Sequence, residues 1–338
     1  MLVGKSTWLF QQKPVIISTG TVGGPFEAQS TIYRDFDILH EDIWLKQDSF
    51  EKAQQKMMEE ACQIALQKQN MSENQVEFFI SGDLINQITP TTFTAKTLGI
   101  PYLGIFSACA TTTESLALSA MIINQHGANY ILSGSSSHNA ATERQYRFPT
   151  EYGSQKPPTA QWTVTGAGCA LVAKQGTGPV ITSATIGKVI DMGLSDPYNM
   201  GGAMVPAAID TIKTHFKDRQ IDPSYYDLIV TGDLGSIGRE IAFELLNKEG
   251  LAIKEEQLLD CGDFIYTDDQ PVHAGASGAA CCAIVTYGHL LNLMQQGDIK
   301  RMLVVSTGAL HSTLSIQQND TIPCIAHAVS IEVGSDVN

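Results

Sequence analysis

The chain has 338 residues, of which 43% are hydrophobic and 17% are charged, and its formal net charge at pH 7 is −14. This composition is typical of a globular protein long enough for two cores, and it excludes disordered and fibrous classes. An acidic surface repels nucleic-acid phosphates and anionic lipid headgroups, so we expect no nucleic-acid partner.

The sequence also lacks secretion and membrane-spanning signals. Residues 1–14 contain no apolar signal-peptide core, so we expect no signal peptide. No window reaches the roughly 18 uninterrupted apolar residues of a membrane span. The nearest stretch, Gly275–Met294, contains His289 and is predicted to be a buried helix. The seven cysteines are odd in number and irregularly spaced, which indicates reduced thiols in a cytosolic compartment.

In chain order, the first half alternates apolar strands with helices. Its predicted strands are Val15–Thr19, Val76–Ser81, Pro101–Phe106, Tyr130–Ser133 and Gly168–Ala173. Its predicted helices are Ser49–Gln69 and Thr112–Asn124.

The second half repeats this pattern. Its predicted strands are Pro179–Thr182, Asp227–Thr231, Arg301–Ser306 and Ala326–Ile331, and its predicted helices are Pro206–Phe216 and Gly275–Leu293.

Two similar tetrapeptides support a duplication. The motif SGDL contains Gly82, and the motif TGDL contains Gly232, 150 residues later in a matching context. We therefore predict an α/β protein of two similar halves, residues 1–175 and 176–338, each with a mostly parallel sheet. Because ligands in such sheets bind beyond the carboxyl ends of the strands, we expect a small-molecule site where the halves meet.

Cys109 is the candidate nucleophile. It follows a strand that ends near Phe106 and precedes a helix that Thr111 or Thr112 caps, with Glu114 in the first turn. A thiol at a helix N-terminus has a lowered pKa and is a better nucleophile. A small buried cysteine in a close turn explains the same residues equally well.

Three segments resemble the thiolase and ketoacyl synthase superfamily. Residues 106–123 are similar to its nucleophile turn, and Val272–Cys282 resembles its glycine-rich turn with one residue fewer after His273. Val164–Ala173 resembles the D-G-A-G-A strand of the synthase III group, with Thr165 in place of Asp. The resemblance implies the five-layer αβαβα thiolase fold and a homodimer that pairs first-half edge strands, here Tyr130–Ser133.

The resemblance also implies a cysteine assisted by two histidines, or by a histidine and an asparagine. The place of the first histidine is held here by Gly232 or Asp233, and the second partner would be His273. Glycine has no side chain, and a carboxylate cannot donate to a thioester oxyanion. Since each missing donor costs ~10²–10³ in rate, we expect condensation to be severely impaired. We therefore assign no catalytic residue and regard Cys109 as a vestigial nucleophile.

Longer motifs resemble one family more closely. Ser135–Gly153, Leu228–Gly238 and Asp320–Val329 are similar to the stage V sporulation protein AD family of spore-forming Bacilli. The resemblance implies a binding protein for dipicolinic acid (pyridine-2,6-dicarboxylate), as its calcium chelate, that acts in uptake into the developing spore. It further implies a peripheral position at the cytoplasmic face of the forespore membrane, together with SpoVA membrane proteins.

We expect the ligand at the junction pocket, near the start of the helix after Cys109. The segment Ser135–Trp162, long and rich in donors such as Arg147, is predicted to be a loop reaching toward it. Arg144 would clamp one carboxylate, whereas Asp83 and Asp233 would bridge a metal or cap backbone. The predicted ligand-binding residues are Cys109, Ala110, His138, Arg144, Asp83, Asp233, His273 and Ser277.

We predict no cofactor and no metal site of the protein's own, because no calcium-binding loop is found and the dicarboxylate would supply most of the calcium ligands. Two alternatives remain open: an active acyltransferase that uses Cys109, and a scaffold without a ligand.

Overall fold

The computed structural model describes residues 1–146 and 156–334. The chain forms a mixed α/β fold with one thirteen-stranded sheet and a separate two-stranded sheet, β8 with β13. The strands are β1 Leu2–Val3, β2 Thr7–Leu9, β3 Val15–Gly23, β4 Ile38–Leu39, β5 Phe78–Gly82, β6 Tyr102–Gly104, β7 Tyr130–Ser137, β8 Trp162–Thr163, β9 Gly166–Ala173, β10 Val180–Ile186, β11 Leu228–Thr231, β12 Leu258–Asp260, β13 Ala276–Ser277, β14 Arg301–Ala309 and β15 Cys324–Glu332.

The four predicted helices are present, the last of them divided into α8 and α9, and α2, α4, α6, α7 and α10 are additional. A π-helical segment, Val285–Leu290, joins α8 to α9. The helices are α1 Phe50–Gln67, α2 Thr89–Leu98, α3 Thr111–Asn124, α4 Asn139–Tyr146, α5 Met200–Arg219, α6 Gly235–Lys248, α7 Cys261–Phe264, α8 Ala279–Ile284, α9 Leu291–Gln296 and α10 Thr313–Gln317.

The two halves repeat one strand order. The first half runs β3-β9-β7-β5-β6 and the second runs β10-β15-β14-β11-β12. In each half the first two pairings are antiparallel and the last two are parallel. The expectation of mostly parallel sheets is therefore wrong, because β9 and β15 return antiparallel to their neighbours. The pair Val15–Val180 joins the halves, and the expected boundary after residue 175 falls between β9 and β10.

Three apolar clusters define five layers. Helices α1 and α2 cover the outer face of the first half, where Met57 packs with Phe79 and Leu132. Helices α3, α8 and α9 fill the space between the halves. Helices α5 and α6 cover the outer face of the second half. Close contact of α1 with β3 requires Gly20, since a Cβ there would lie 2.1 Å from the Ala61 carbonyl oxygen.

Two expectations about residues 130–162 are corrected. Tyr130–Ser133 belongs to β7, which lies between β9 and β5, so it is not an edge; the first-half path ends at β6. The start of the expected loop is regular, because β7 continues to Ser137 and α4 follows. Arg147, one of its expected donors, lies outside the described residues.

In the described parts of the chain, no helix is both long enough and apolar enough to span a bilayer. Within Gly275–Met294, the six residues of α8 are all buried, as expected for a core helix.

Candidate functional site

Cys109 lies on a tight turn between the halves. It is the middle residue of a 3₁₀ turn, Ala108–Ala110, that leads directly into α3. Ala108 has φ +49°, a left-handed conformation that is uncommon for residues other than glycine. Gly308, in β14 of the other half, packs against the turn, because a Cβ there would lie 2.1 Å from the Ser107 carbonyl oxygen. The second half thus holds the turn in position.

The Cys109 thiol faces the carboxylate of Asp233. Burial and then the Asp233 charge raise the pKa of the Cys109 thiol well above its ordinary value. The lowered pKa expected from the helix N-terminus is therefore wrong. The amides of that terminus have partners: the Ala110 N–H donates to the Ser107 carbonyl, 2.9 Å, and the Thr113 N–H donates to Ser306 Oγ, 3.1 Å.

Gly232 and Asp233 were the two candidates for the place of the first histidine. Asp233 is the one that faces the thiol. Thr307 Oγ1 donates to Asp233 Oδ1 at 2.6 Å, and the Gly278 N–H donates to Oδ2 at 3.3 Å. Burial raises the pKa of Asp233 to about 6. The carboxyl is therefore mostly ionised at pH 7 and holds Cys109 in its protonated form.

Asp260, which sequence reasoning missed, anchors the turn that carries Asp233. Its carboxylate accepts hydrogen bonds from Thr231 Oγ1 at 2.6 Å and from the N–H groups of Leu234, Gly235 and Asp263 at 2.8, 2.9 and 3.0 Å. Burial raises the pKa of Asp260 to about 7. These bonds tie the end of β11 to α6 and α7.

A small cavity of about 30 Å³ opens beside Cys109. Its walls come from both halves and are mostly apolar, with hydroxyl groups and one imidazole. No arginine or lysine lines it within the described residues. The lining residues are Leu84, Ala108, Cys109, Thr142, Tyr146, Thr163, Pro197, Met200, Ser277, Gly278, Ala309 and His311.

Of the predicted ligand-binding residues, Cys109 and Ser277 line the cavity. Tyr146, a donor of the segment Ser135–Trp162 that the sequence predicts to reach toward the site, also lines the cavity. Sequence reasoning missed His311, whose ring meets that of Tyr146 edge to face with centroids 5.1 Å apart. Tyr146 Oη donates to the Leu84 carbonyl oxygen at 2.5 Å. The internal repeat could have found His311, because ALHS at the end of β14 corresponds to SSSH at the end of β7.

His138 and Arg144 lie outside this cavity, against α1 and the segment before it. His138 is buried, its Nε2 bonds the Ile43 carbonyl oxygen at 2.9 Å, and burial lowers its pKa. Arg144 forms an exposed ion pair with Glu51, its guanidinium 5.9 Å from the Phe50 ring centroid. Both predicted pocket roles are corrected, because α4 turns these side chains toward α1.

The remaining predicted residues also lie away from the cavity wall. His273 is exposed and has φ +55°. Ala110 does not line the cavity, and its amide is bonded within the turn. Asp83 accepts from the Ile85 N–H at 2.7 Å and from Thr91 N–H and Oγ1 at 2.9 and 2.5 Å, so it caps the start of α2. Burial raises the pKa of Asp83 to about 6.

Across residues 1–146 and 156–334, no group of three or more His, Cys, Asp or Glu side chains is arranged to hold a metal ion.

Solved structures with this architecture include condensing enzymes. The chain is similar to human mitochondrial 3-ketoacyl-CoA thiolase in complex with CoA, with a TM-score of 0.60 and 13% identity, over 98% of this chain and 100% of that one. It is also similar to 3-oxoacyl-[acyl-carrier-protein] synthase III from Aquifex aeolicus VF5, with a TM-score of 0.58 and 13% identity, over 94% and 99%. The protein has the thiolase-type fold.

Sequence comparison defines the family within this fold. The family model described as Stage V sporulation protein AD (SpoVAD) matches residues 4–332. The chain is 44% identical over 331 residues to stage V sporulation protein AD of Bacillus subtilis (strain 168), covering 98% of both chains. The chain therefore belongs to the stage V sporulation protein AD family.

Proposed function

We propose that this protein is a non-condensing binding protein that takes dipicolinate, as its calcium chelate, into the cavity beside Cys109. The observation that supports this most is the Asp233 carboxylate on the Cys109 thiol. Acyl transfer needs a thiolate and a hydrogen-bond donor for the developing oxyanion. A buried carboxylate at this position opposes the first requirement and cannot meet the second.

The chemistry of the cavity lining suits a planar ring. Leu84 and Met200 offer apolar walls, and Tyr146 and His311 add flat ring surfaces. Thr163 and Ser277, partners across the β8–β13 pairing, place two hydroxyl-bearing residues side by side. These hydroxyls are the proposed donors to ligand carboxylate oxygens.

Charge favours the chelate over the free dianion. No cation lines the cavity among the described residues, and Asp233 adds negative charge nearby. Transfer of an unpaired carboxylate into such surroundings is strongly unfavourable. A one-to-one complex of calcium with dipicolinate is neutral, and its calcium is held by oxygen ligands of the ligand itself and of water.

Family membership supports the biological setting. The proposed role is the uptake of dipicolinate into the developing spore, with SpoVA membrane proteins as partners at the cytoplasmic face of the forespore membrane. The proposed form of the protein is a homodimer.

Calorimetric titration tests the ligand and its location together. We expect saturable binding of calcium dipicolinate and at least tenfold weaker binding of dipicolinate in EDTA. Thr163→Val and Ser277→Ala should each weaken binding of the chelate about fivefold, because a net hydrogen bond contributes ~1 kcal/mol. Arg144→Ala is the matched control and should bind like wild type.

Two results would contradict the proposal. Absence of saturable binding of either form at millimolar ligand would exclude the binding function. Weakened binding in Arg144→Ala, with unchanged binding in Thr163→Val and Ser277→Ala, would move the site to the α1–α4 surface.

A further inference from the structure

An apolar surface lies beside the cavity on the second half. It consists of the side chains of Val189, Met192, Leu194 and Leu314, and we refer to these four as the apolar rim. All four are exposed, with Met192 at 67% and Leu314 at 62%. Isolated exposed apolar side chains are ordinary, but a group of this kind indicates an interaction site.

Hydrogen bonds hold the two segments of the apolar rim together. The Ile322 N–H donates to the Leu194 carbonyl at 2.7 Å, and Thr321 Oγ1 donates to Asp191 Oδ2 at 2.5 Å. The Asp320 N–H donates to the Ser315 carbonyl at 2.9 Å, which ties this segment to α10 and so to Leu314. The two segments that carry the rim residues are therefore tied to each other.

The same segments also contribute to the cavity. Pro197 and Met200 follow the Val189–Leu194 part of the rim, and His311 precedes Leu314; all three line the cavity. The segments that carry the rim therefore continue directly into the cavity wall.

The charges around the apolar rim are mostly negative. Residues 187–199 and 310–323 contain Asp191, Asp196 and Asp320 and a single cation, Lys188. Lys188 is paired with Asp210 at 2.9 Å. Hydrogen bonds from Thr321 and Gly193 lower the pKa of Asp191, so it is ionised at neutral pH. A partner must therefore offer apolar side chains to the centre of the rim and positive charges to the carboxylates around it.

We propose that the apolar rim is the docking surface for an amphipathic helix of a partner protein, with lysine or arginine residues flanking its apolar face. A helix presents apolar side chains at i, i+3, i+4 and i+7, which suits a compact apolar surface. Basic flanking residues complement the three aspartates. A second copy of this chain is disfavoured because a twofold contact would oppose aspartates to aspartates, and an anionic membrane is repelled by the same charges.

Fluorescence anisotropy tests this surface with a labelled 18-residue Leu/Lys amphipathic helix in 150 mM NaCl. We expect Met192→Ser/Leu314→Ser to weaken binding of this peptide about tenfold. The control Ile241→Ser/Leu245→Ser, on exposed apolar residues of α6, should stay within twofold of wild type. A Leu/Glu helix of the same pattern should not bind.

Several outcomes would overturn the proposal. Equal effects of the two double variants would show that the acidic net charge alone attracts the peptide. Equal binding of the Leu/Glu helix would refute the charge argument. Loss of a dimer in sedimentation velocity, or loss of binding to phosphatidylglycerol vesicles, in Met192→Ser/Leu314→Ser alone would assign the rim to self-association or to lipid. The anisotropy, sedimentation and vesicle measurements do not depend on dipicolinate binding.

Discussion

At the residue scale, Cys109 and Asp233 form a pair in which ionisation of one group disfavours ionisation of the other. A thiolate beside a buried carboxylate would place two like charges together with little solvent screening. The stable arrangement is a protonated thiol beside a carboxylate. The same thiol in a condensing enzyme must ionise and accept an acyl group, so one side chain changes what this turn can do.

Asp233→Asn should raise the alkylation rate of Cys109 by iodoacetamide about tenfold, because each unit of thiol pKa changes the thiolate fraction tenfold. Peptide mapping by mass spectrometry at pH 7.5 measures the rate. Asp222→Asn is the matched control: it makes the same substitution at an exposed aspartate, leaves the charge of Asp233 in place and should not accelerate alkylation.

The same assay distinguishes binding from catalysis. Wild type incubated with acetyl-CoA or malonyl-CoA should show no stoichiometric acyl adduct on Cys109. An adduct that forms and turns over would establish the acyltransferase alternative and refute the non-condensing proposal.

Glu27 is a second buried carboxyl with an unusual environment. Tyr266 Oη and the Thr165 N–H donate to its Oε1 at 2.6 and 3.0 Å, while its Oε2 has no hydrogen-bond partner among the described residues. Burial raises the pKa of Glu27 to about 7. The bond from the Thr165 N–H therefore ties that backbone to the 3₁₀ turn Glu27–Gln29, which follows β3.

The free energy of unfolding should therefore fall as pH rises. The folded-state pKa of Glu27 exceeds its unfolded value, so its stabilising contribution is complete below about pH 4.5 and is lost progressively as pH rises toward and through about 7. The slope from this group approaches ~1.4 kcal/mol per pH unit. Urea titrations from pH 5 to 8 should show a flatter profile for Glu27→Gln, and exposed Glu41→Gln should match wild type. Parallel profiles for all three proteins would contradict this role.

At the scale of elements, the turns after β5 and β11 carry equivalent aspartates with different tasks. Asp83 follows β5 and bonds the backbone ahead of α2, whereas Asp233 follows β11 and faces the thiol at the start of α3. The duplicated strand–helix turn is thus retained in both halves, while its carboxylate is structural in one half and part of the site in the other.

Asp83→Ala should lower the free energy of unfolding by about 3 kcal/mol, because it leaves two buried amides and a hydroxyl without their charged acceptor. Urea denaturation with and without calcium measures the effect. Asp222→Ala, which removes an exposed aspartate with no side-chain capping bond, should change it little. Calcium stabilisation of wild type that Asp83→Ala abolishes would instead assign Asp83 to metal bridging.

At the scale of the whole molecule, β6 ends the first-half sheet with an unpaired edge. Leu103 on β6 and Phe106 just after it are exposed, which is unusual for a strand edge that stays in water. Pairing of two β6 strands around a twofold axis would remove both the free edge and this apolar surface.

We therefore predict a homodimer that pairs two β6 strands. The sequence had indicated pairing through Tyr130–Ser133, which lies in the interior strand Tyr130–Ser137. Light scattering at 10 μM should give about twice the 36.5 kDa chain mass. Leu103→Lys/Phe106→Lys should give the monomer mass, and Ile241→Lys on α6 should remain dimeric. A monomeric wild type would refute the dimer.

The sequence by itself determined the features that depend on near neighbours along the chain. Strand and helix periodicity and the repeated SGDL and TGDL turns were sufficient to predict the duplicated α/β order and the turn of Cys109. Helices α2 and α6 were not predicted, because α2 is rich in threonine and α6 has two glycines in its first turn. Both features weaken the helical pattern in the sequence.

Only the tertiary structure decided which side chains meet in the cavity. Residues two apart on a helix point to nearly opposite faces, so the packing of α4 decides that Tyr146 enters the cavity and Arg144 meets Glu51. The pKa of Cys109 was misjudged for the same reason. The helix N-terminus is a local feature, but burial and Asp233, which lies 124 residues later in the chain, act through space and are the larger effects.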